Sequence, residues 1–509
     1  MAKRMNAETV EKRKAAVRHP IRWWKGAGLP EEDLRPWEGG IQMVAEILKA
    51  VMDRFVGLKD WLYIGAGKGK VNPNWKSVSQ LITTLWDGAN DPVIGTYMDR
   101  KRYSAGVHRW VMRFNAAYSP LNILLQLISF GLSPMQRVVQ WTLMWVAGSV
   151  VSTANAVSEA KIWAGITPHS AQRGVVQLCK SIGRQIASPI ASVVTVLMSL
   201  KDVLGVTDYQ IILVSALIIA PLSIFGRWLP SHALQRIDFD AAEEETGEAP
   251  PTLRESFAVV KHNRWFLMST ALKFVTMLSP GTDEKYMYRF LLPRMHIRGK
   301  EVDGLWLYNL KGMIIGVPAM LLQPFALKFI QLFGGNLNLK RAKAITQIVT
   351  SAGKFLVGYK TVPRLLFMYA FELLQEIVDK WDPVADGVIQ YQMLDYVELK
   401  TGLRSEGMTL AVSGFLDKMI RQNSETLIGN AFLRWTGFPG ADYPLEEQPE
   451  RFLKTIWPLL QFKQFLTGAA WLGGLLWFRF PMDPAQVEAD LIERRALAAK
   501  MKEETLLNS

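Results

Sequence analysis

Cysteine and histidine are scarce: among 509 residues there is one cysteine, Cys179, and six scattered histidines. This excludes a disulfide framework and any multi-cysteine metal site, and the histidines form no metal cluster. An apolar leader is missing as well. The first 40 residues are basic and interrupted by Pro20, Pro30 and Pro36, so no cleavable signal peptide is expected. The chain also lacks the aromatic-poor composition of disorder, since 11% of its residues are aromatic and 18 are tryptophan. With 49% apolar and 21% charged residues and a mean hydropathy of +0.09, composition does not separate a membrane protein from a globular one. The length fits three or four soluble domains at roughly 150 residues each, or twelve spans of about 20 residues with loops. A net charge of +13 suits an anionic partner, either nucleic acid or the anionic face of a membrane.

The class is decided by where charge is missing. Phe114 to Gln136 is uncharged over 23 residues, Val138 to Ser158 over 21 and Tyr209 to Gly226 over 18. Such windows match membrane spans, whereas a soluble helix carries a charge every turn or so. Shorter windows at Gln185 to Leu200, Gly312 to Leu327 and Gln464 to Phe478 have basic edges that can snorkel to an interface. Reading outward gives twelve spans, centred near residues 53, 85, 123, 148, 190, 218, 276, 319, 350, 375, 420 and 467. The first, Ile41 to Ile64, holds Glu46, Lys49, Asp53, Arg54, Lys59 and Asp60. Each central charge in lipid costs about 2.5 to 3.5 kcal/mol, so this helix must face protein or water.

Lysine and arginine set orientation. The basic arm 1–40 and the segment Asp99 to Arg109 are expected in the cytoplasm, with both termini on that side of a plasma (inner) membrane. An acidic run, Asp238 to Glu248, followed by Pro250 and Pro251, reads as a solvated linker over 231–264. It would separate a six-helix bundle at 41–230 from a second at 265–480, leaving a charged tail at 481–509. Two such bundles form the architecture of secondary transporters, with the substrate site at mid-membrane. The expected fold is therefore all-α and multi-pass, and no enzyme is expected.

Ionisable residues inside spans are functional candidates. In Trp86-Asp87-Gly88-Ala89-Asn90-Asp91-Pro92 the two aspartates are four apart, so their carboxylates project from one helix face about 6 Å apart. Two such charges in a low-dielectric bundle share a proton, hold a cation between them, or pair with basic residues as structural ion pairs. Hard oxygen ligands suit sodium or lithium better than a soft metal, and Pro92 loosens the helix and frees a carbonyl. Glu159 and Trp163 lie one turn apart. A carboxylate and an indole so spaced make a sugar site, the acid accepting hydroxyl hydrogen bonds and the ring covering an apolar face. They equally describe an interfacial tryptophan beside a helix-end charge.

WDGANDPVIGTYMDRKR resembles the WDAxNDPxxGxxxDRTR signature of the glycoside, pentoside and hexuronide cation symporters, the melibiose permease family within the major facilitator superfamily. LDYVELKTGLRSEG, from Leu394 to Gly407, is similar to that family's loop between spans ten and eleven, and PMDPAQVEADLIERR to its terminal helix. The resemblance implies a major facilitator fold of two six-helix bundles. It implies that Asp87 and Asp91, with Asn90, bind the coupling cation, which is sodium, lithium or a proton, and that no other metal or cofactor is needed. It implies substrate contacts at Glu159, Trp163 and Lys418, and at a span-five base that is Lys180 or Arg184; Asp53 is a plausible partner of the same site. The matching motif residues are Asp99 and Arg100 after span two, and Asp395, Tyr396, Glu398, Thr401, Gly402, Arg404 and Gly407 in the second block.

The chain also departs from the pattern. Ala156 stands where the family has a small or hydroxyl residue three before the span-four acid, and spans one, seven and ten are unusually charged. A polar or anionic substrate therefore remains open beside a sugar or glycoside. Trp381 to Asp386, WDPVAD, looks like WDGAND and is read as a chance repeat. The string GAGKGK lacks the phosphate-loop spacing. The clusters Lys12 to Lys14 and Arg100 to Arg102 flank apolar spans without any nucleic-acid module, so a bilayer is the expected partner and nucleic acid is not. The leading expectation is a cation-coupled symporter of a sugar, glycoside or uronide, acting as a monomeric unit. A sodium-dependent lysophospholipid-type symporter, and a transporter-like sensor or scaffold, are the alternatives.

Overall fold

The computed structural model describes residues 34–63, 73–100, 105–167, 169–199, 204–233, 261–277, 304–402 and 445–494, with short pieces between them. The chain divides into two compact units, one of Met1–Asn263, Tyr391–Phe415 and Met482–Ser509, the other of Arg264–Gln390 and Leu416–Pro481.

In the first unit the helices are α1 (Pro36–Asp53), α2 (Phe55–Tyr63), α3 (Pro73–Arg100), α4 (Ala105–Leu127), α5 (Pro134–Gly165), α6 (Ser170–Ser199) and α7 (Asp208–Ala233). The charged first span is thus two helices, broken at Arg54. Pro36 opens α1, and Glu38 Oε2 accepts the Arg35 N–H at 2.8 Å, satisfying one of the orphan donors of the helix start.

The uncharged run from Phe114 to Gln136 does not form one span. α4 ends inside it, Phe130 and Gly131 take φ of 48° and 64°, and α5 starts within it. Ser133 caps α5 reciprocally: its N–H donates to Gln136 Oε1 at 3.0 Å, and its Oγ accepts from Gln136 N at 3.4 Å. Freedom from charge reports an apolar setting, whereas capping and turn residues fix the helix ends.

The second unit holds α8 (Arg264–Met277), a π-helical turn (Met287–Leu291) and a two-residue antiparallel pair, β1 (His296–Ile297) with β2 (Lys300–Glu301). Then come α9 (Gly304–Leu322), a 3₁₀ turn (Gln323–Phe325), α10 (Ala326–Leu332), α11 (Asn336–Val357), α12 (Val362–Thr401), which belongs to the first unit from Tyr391 on, and α13 (Glu450–Trp477). The motif starting at Leu394 was expected as a loop, yet α12 stays helical to Thr401. Gly402 ends it at φ 74°, donating its N–H to Glu398 O at 2.8 Å. A left-handed residue at that position favours glycine.

Burial is inverted relative to a water-soluble protein. Leu356 and Trp477 are each 82% exposed and Leu332 71%, while Glu46, Asp87, Asp91, Lys340 and Lys354 are all 5% or less. Apolar outside and charge inside is the arrangement a lipid solvent selects. Asp208–His232 and Ile314–Leu332 are long and apolar enough to cross a membrane by composition alone. Apolar side chains also fill the gaps between helices, around Met52, Phe55 and Ile212 in the first unit and around Tyr288, Phe290 and Phe452 in the second.

Candidate functional site

α1 is held between α6 and α7 by two close approaches. A Cβ on Gly183 of α6 would stand 2.5 Å from Met43 O, and one on Gly226 of α7 would stand 2.5 Å from Leu48 Cβ. Only glycine admits backbones this near. The face of α1 so enclosed carries Gln42, Glu46, Lys49 and Asp53, which recur at helical spacing.

Those residues meet charges from three other helices. Lys49 Nζ is 3.2 Å from Glu159 Oε2 of α5 and 3.5 Å from Glu46 Oε1. Lys180 Nζ of α6 is 3.2 Å from Glu159 Oε1 and 3.7 Å from Glu46 Oε1. Arg184 Nε donates to Glu46 Oε2 at 3.0 Å, and Arg227 of α7 pairs with Asp53. Two carboxylates and three cations therefore share one network, with the Asp53–Arg227 pair beside the same cavity, so the group carries an excess of one positive charge. Glu46, Lys49, Asn115, Asn155, Glu159 and Arg227 help line a cavity of about 20 Å³. That is room for roughly one water, so in this conformation the side chains hold one another.

The sequence offered Lys180 or Arg184 as the span-five base; both join the network, Lys180 on Glu159 and Arg184 on Glu46. Asp53 reaches it through Arg227, which also lines the cavity. Trp163 does not line the cavity. It is 4% exposed and packs with Met112, Ile162, Ile166 and Val176. Glu46, Lys49 and Arg227 went unassigned in the sequence. For Glu46 and Lys49 the one signal was an excess of charge in the first span, and Arg227 gave none, because the partners on other helices lie 110 to 174 residues away.

The second constellation lies between α3 and α5. Contacts climb both helices together: Ser79 Oγ to Thr142 Oγ1 at 2.7 Å, Trp86 Nε1 to Val146 O at 3.2 Å, Asn90 Nδ2 to Ser149 Oγ at 2.8 Å, and Lys161 Nζ to Met98 O at 3.0 Å. Residue numbers rise in step, so the helices run parallel. Asp87 and Asp91 are each 2% exposed and face α5. Thr153 Oγ1 donates to Asp91 Oδ1 at 2.5 Å, and Trp145 Nε1 approaches Asp87 Oδ2 at 3.5 Å. α3 runs unbroken through Pro92. Asn90 Oδ1 is buried and has no hydrogen-bond partner among the described residues. Two carboxylates, an amide oxygen and a threonine hydroxyl make a hard oxygen set suited to a small monovalent cation or a proton. Ser149 and Thr153, one turn apart in an uncharged window, are a signal the sequence reading did not use.

Of the motif residues, Asp395 is the most engaged. It accepts Arg173 Nη1 at 2.7 Å, Arg173 Nε donates to Thr167 O at 2.9 Å, and the guanidinium lies 5.4 Å from the centre of the Tyr391 ring. Thr401 Oγ1 donates to Val397 O at 2.7 Å, Glu398 receives the terminating N–H of Gly402, and Tyr396 is half-buried on the same helix. Asp99 and Arg100 lie in the last turn of α3. Lys418, Arg404 and Gly407 lie outside the described residues.

The charges of spans seven and ten also find partners. Lys311 pairs with Glu284 and, at 3.0 Å, with Glu372. Lys340 and Lys343 of α11 meet Asp379, Asp382 and Asp386 of α12. Among the described residues no group of three or more metal-ligating side chains is arranged to hold a metal ion.

The sequence family described as MFS/sugar transport protein matches residues 66–483. By sequence, the chain has no match among curated proteins. A bacterial homologue of the iron transporter ferroportin, in an outward-facing state, is similar at TM-score 0.58 and 14% identity, over 86% of this chain and 98% of that one. The same protein soaked with iron gives 0.54 at 14% identity, over 87% and 99%. A proton:xylose symporter bound to 6-bromo-6-deoxy-D-glucose gives 0.49 at 11% identity, over 86% and 94%.

Proposed function

Because the chain belongs to the MFS/sugar transport protein family and is thus a multi-pass membrane transporter, we propose that it is a cation-coupled symporter of a sugar, glycoside or uronide working by alternating access. The observation that carries this reading is the buried pair Asp87 and Asp91, one helical turn apart, with Thr153 hydrogen-bonded to Asp91 and Asn90 between them. Sodium, lithium or a proton bound there offsets one of the pair's two negative charges and relieves their repulsion. The substrate is held at the α1, α5, α6 and α7 network, where ligand groups replace the internal ion pairs as the helices part. By linkage, cation and substrate raise each other's affinity equally. The surplus positive charge among Lys49, Lys180, Arg184 and Arg227 favours an acidic sugar such as a uronide over a neutral one. The basic arm and the segment after span two support a plasma-membrane orientation with both termini in the cytoplasm.

Counterflow in proteoliposomes, with sugars, uronides and a lysophospholipid compared under sodium, lithium and proton gradients, tests this. Uptake of a sugar or uronide that follows one cation gradient, and loses that dependence in Asp87→Asn and Asp91→Asn, is the expected result. Unchanged cation dependence in both variants would sink the coupling assignment. Binding without uptake would favour a sensor, and uptake of the lysophospholipid alone would favour the lipid reading.

A further inference from the structure

One group of charges inside the second unit pairs unevenly. Lys311 of α9 pairs with Glu284 and lies 3.0 Å from Glu372 of α12, so two carboxylates contact one ammonium. The compensating cation is elsewhere. Lys354 of α11 is 1% exposed, and its Nζ donates to Gln464 Oε1 of α13 at 2.7 Å. Among the described residues it makes no ion pair. α11 and α12 approach closely at this level, where a Cβ on Gly353 would stand 2.6 Å from Phe371 Cζ. Glu372 is faced by Lys311 from α9, by Glu284 and Tyr288 from the segment before α9, by Lys354 from α11 and by Tyr369 from its own helix. Lys354 in turn is faced by Glu372, Glu284, Lys311 and Asp379.

We propose that Glu372 and Lys354 share one exchangeable proton and form a proton-binding site of the second unit, separate from Asp87 and Asp91. With the proton on Lys354, a buried ammonium and a surplus buried carboxylate stand apart, neither with a full counter-charge in contact. Buried charges so placed are strongly disfavoured and tend to neutralise. Proton transfer relieves both at once. An N–H bond of the ammonium breaks, an O–H bond forms on Glu372, and a neutral amine faces a neutral acid with the net charge unchanged. Lys311 and Glu284 then balance one to one. Lys354 keeps its bond to Gln464 in either form, because an amine N–H donates as an ammonium N–H does. The two forms carry the same charge, so the couple gains or loses a proton to water as one unit. Water has an approach. The cavity of about 240 Å³ between α11, α12 and α13 is lined by Gln347, two turns before Lys354, and by Asp379, two turns after Glu372. It is polar and holds several waters by volume. In the turn between, Thr350 Oγ1 donates to Gln375 Oε1 at 3.1 Å, so polar atoms continue from the cavity toward the couple. The site gives a role to charges on α11 and α12 that the carboxylate pair on α3 leaves unused.

Infrared difference spectroscopy of the full-length chain, in nanodiscs of phosphatidylcholine and phosphatidylglycerol at neutral pH, reads the carbonyl band of protonated carboxyl groups. The parent is compared with Glu372→Gln, Lys354→Met, Lys354→Arg and Asp87→Asn, after thermal unfolding has shown that each variant is folded. A guanidinium does not release its proton, so Lys354→Arg holds Glu372 ionised, whereas Lys354→Met leaves the proton on the acid. A band that disappears in Glu372→Gln, persists in Lys354→Met and falls at least ~tenfold in Lys354→Arg supports the site. If Glu372→Gln does not fold, the contrast between the two Lys354 variants carries the test. An equal band in Lys354→Arg and the parent, absence of any Glu372-dependent band, or loss of that band in Asp87→Asn overturns the proposal. The measurement uses no cargo, so its failure leaves the symport reading untouched.

Discussion

Glu46 offers the sharpest quantitative test of the network in the first unit. It is 2% exposed and lies 3.0 Å from Arg184 Nε, 3.5 Å from Lys49 Nζ and 3.7 Å from Lys180 Nζ. At an effective dielectric near 20, each contact is worth about 4–6 kcal/mol before any offset. Desolvation of the carboxylate and repulsion from Glu159 cancel most of that, and removing one member of a buried pair costs about 3–5 kcal/mol net. Two features pull Glu46→Gln to the lower end. The Arg184 side chain is 57% exposed and can turn to water, and Lys49 and Lys180 keep Glu159 at 3.2 Å. A loss of about 3 kcal/mol is expected, which at roughly 2 °C per kcal/mol lowers the unfolding midpoint by about 6 °C. Intrinsic tryptophan fluorescence during heating in detergent reads the shift. Coupling is the decisive part: adding Arg184→Gln to Glu46→Gln should cost less than the sum of the single changes by at least ~0.5 kcal/mol. A midpoint within about 2 °C of the parent, or strict additivity in the double variant, would refute the reasoning.

Three further outcomes are expected. Arg173→Gln removes the buried Arg173–Asp395 ion pair and should destabilise by about 3 kcal/mol, while the double variant with Asp395→Asn recovers part of the loss in the same heating assay. Gly183→Ala should cost about 1–3 kcal/mol by overpacking α6 against α1, whereas Gly106→Ala, whose Cβ would meet nothing within 4 Å, leaves the midpoint unchanged. Thr153→Val removes the hydroxyl that donates to Asp91 and should raise the cation concentration for half-maximal counterflow by about 10–100-fold, with Thr153→Ser close to the parent; an unaltered cation dependence in Thr153→Val would remove Thr153 from the site.

Much of the fold was legible in the chain because the signals are local. Uncharged windows marked Val138 to Ser158 and Tyr209 to Gly226 as helical, and both lie within α5 and α7. Asp87 and Asp91 were legible as a pair because helical spacing alone puts them on one face. Boundaries were less legible. The run from Phe114 to Gln136 crosses a turn because apolar loop residues such as Phe130 and Leu132 look the same as helix residues until the Ser133 cap is seen. The second motif block carries a glycine, yet only its φ of 74° at Gly402 shows that the helix runs seven residues past Leu394.

By itself, the sequence determined the family, the helical class and the carboxylate pair on α3, since composition, periodicity and a short motif are properties of neighbouring residues. Only the tertiary structure decided which charges answer one another. Glu46 meets Arg184, Glu159 meets Lys49 and Lys180, Asp53 meets Arg227, and Lys340 sits between Asp382 and Asp386. A charge inside a span is admissible wherever a partner of opposite sign is brought within about 4 Å, and that proximity is set by helix packing over separations no local pattern encodes.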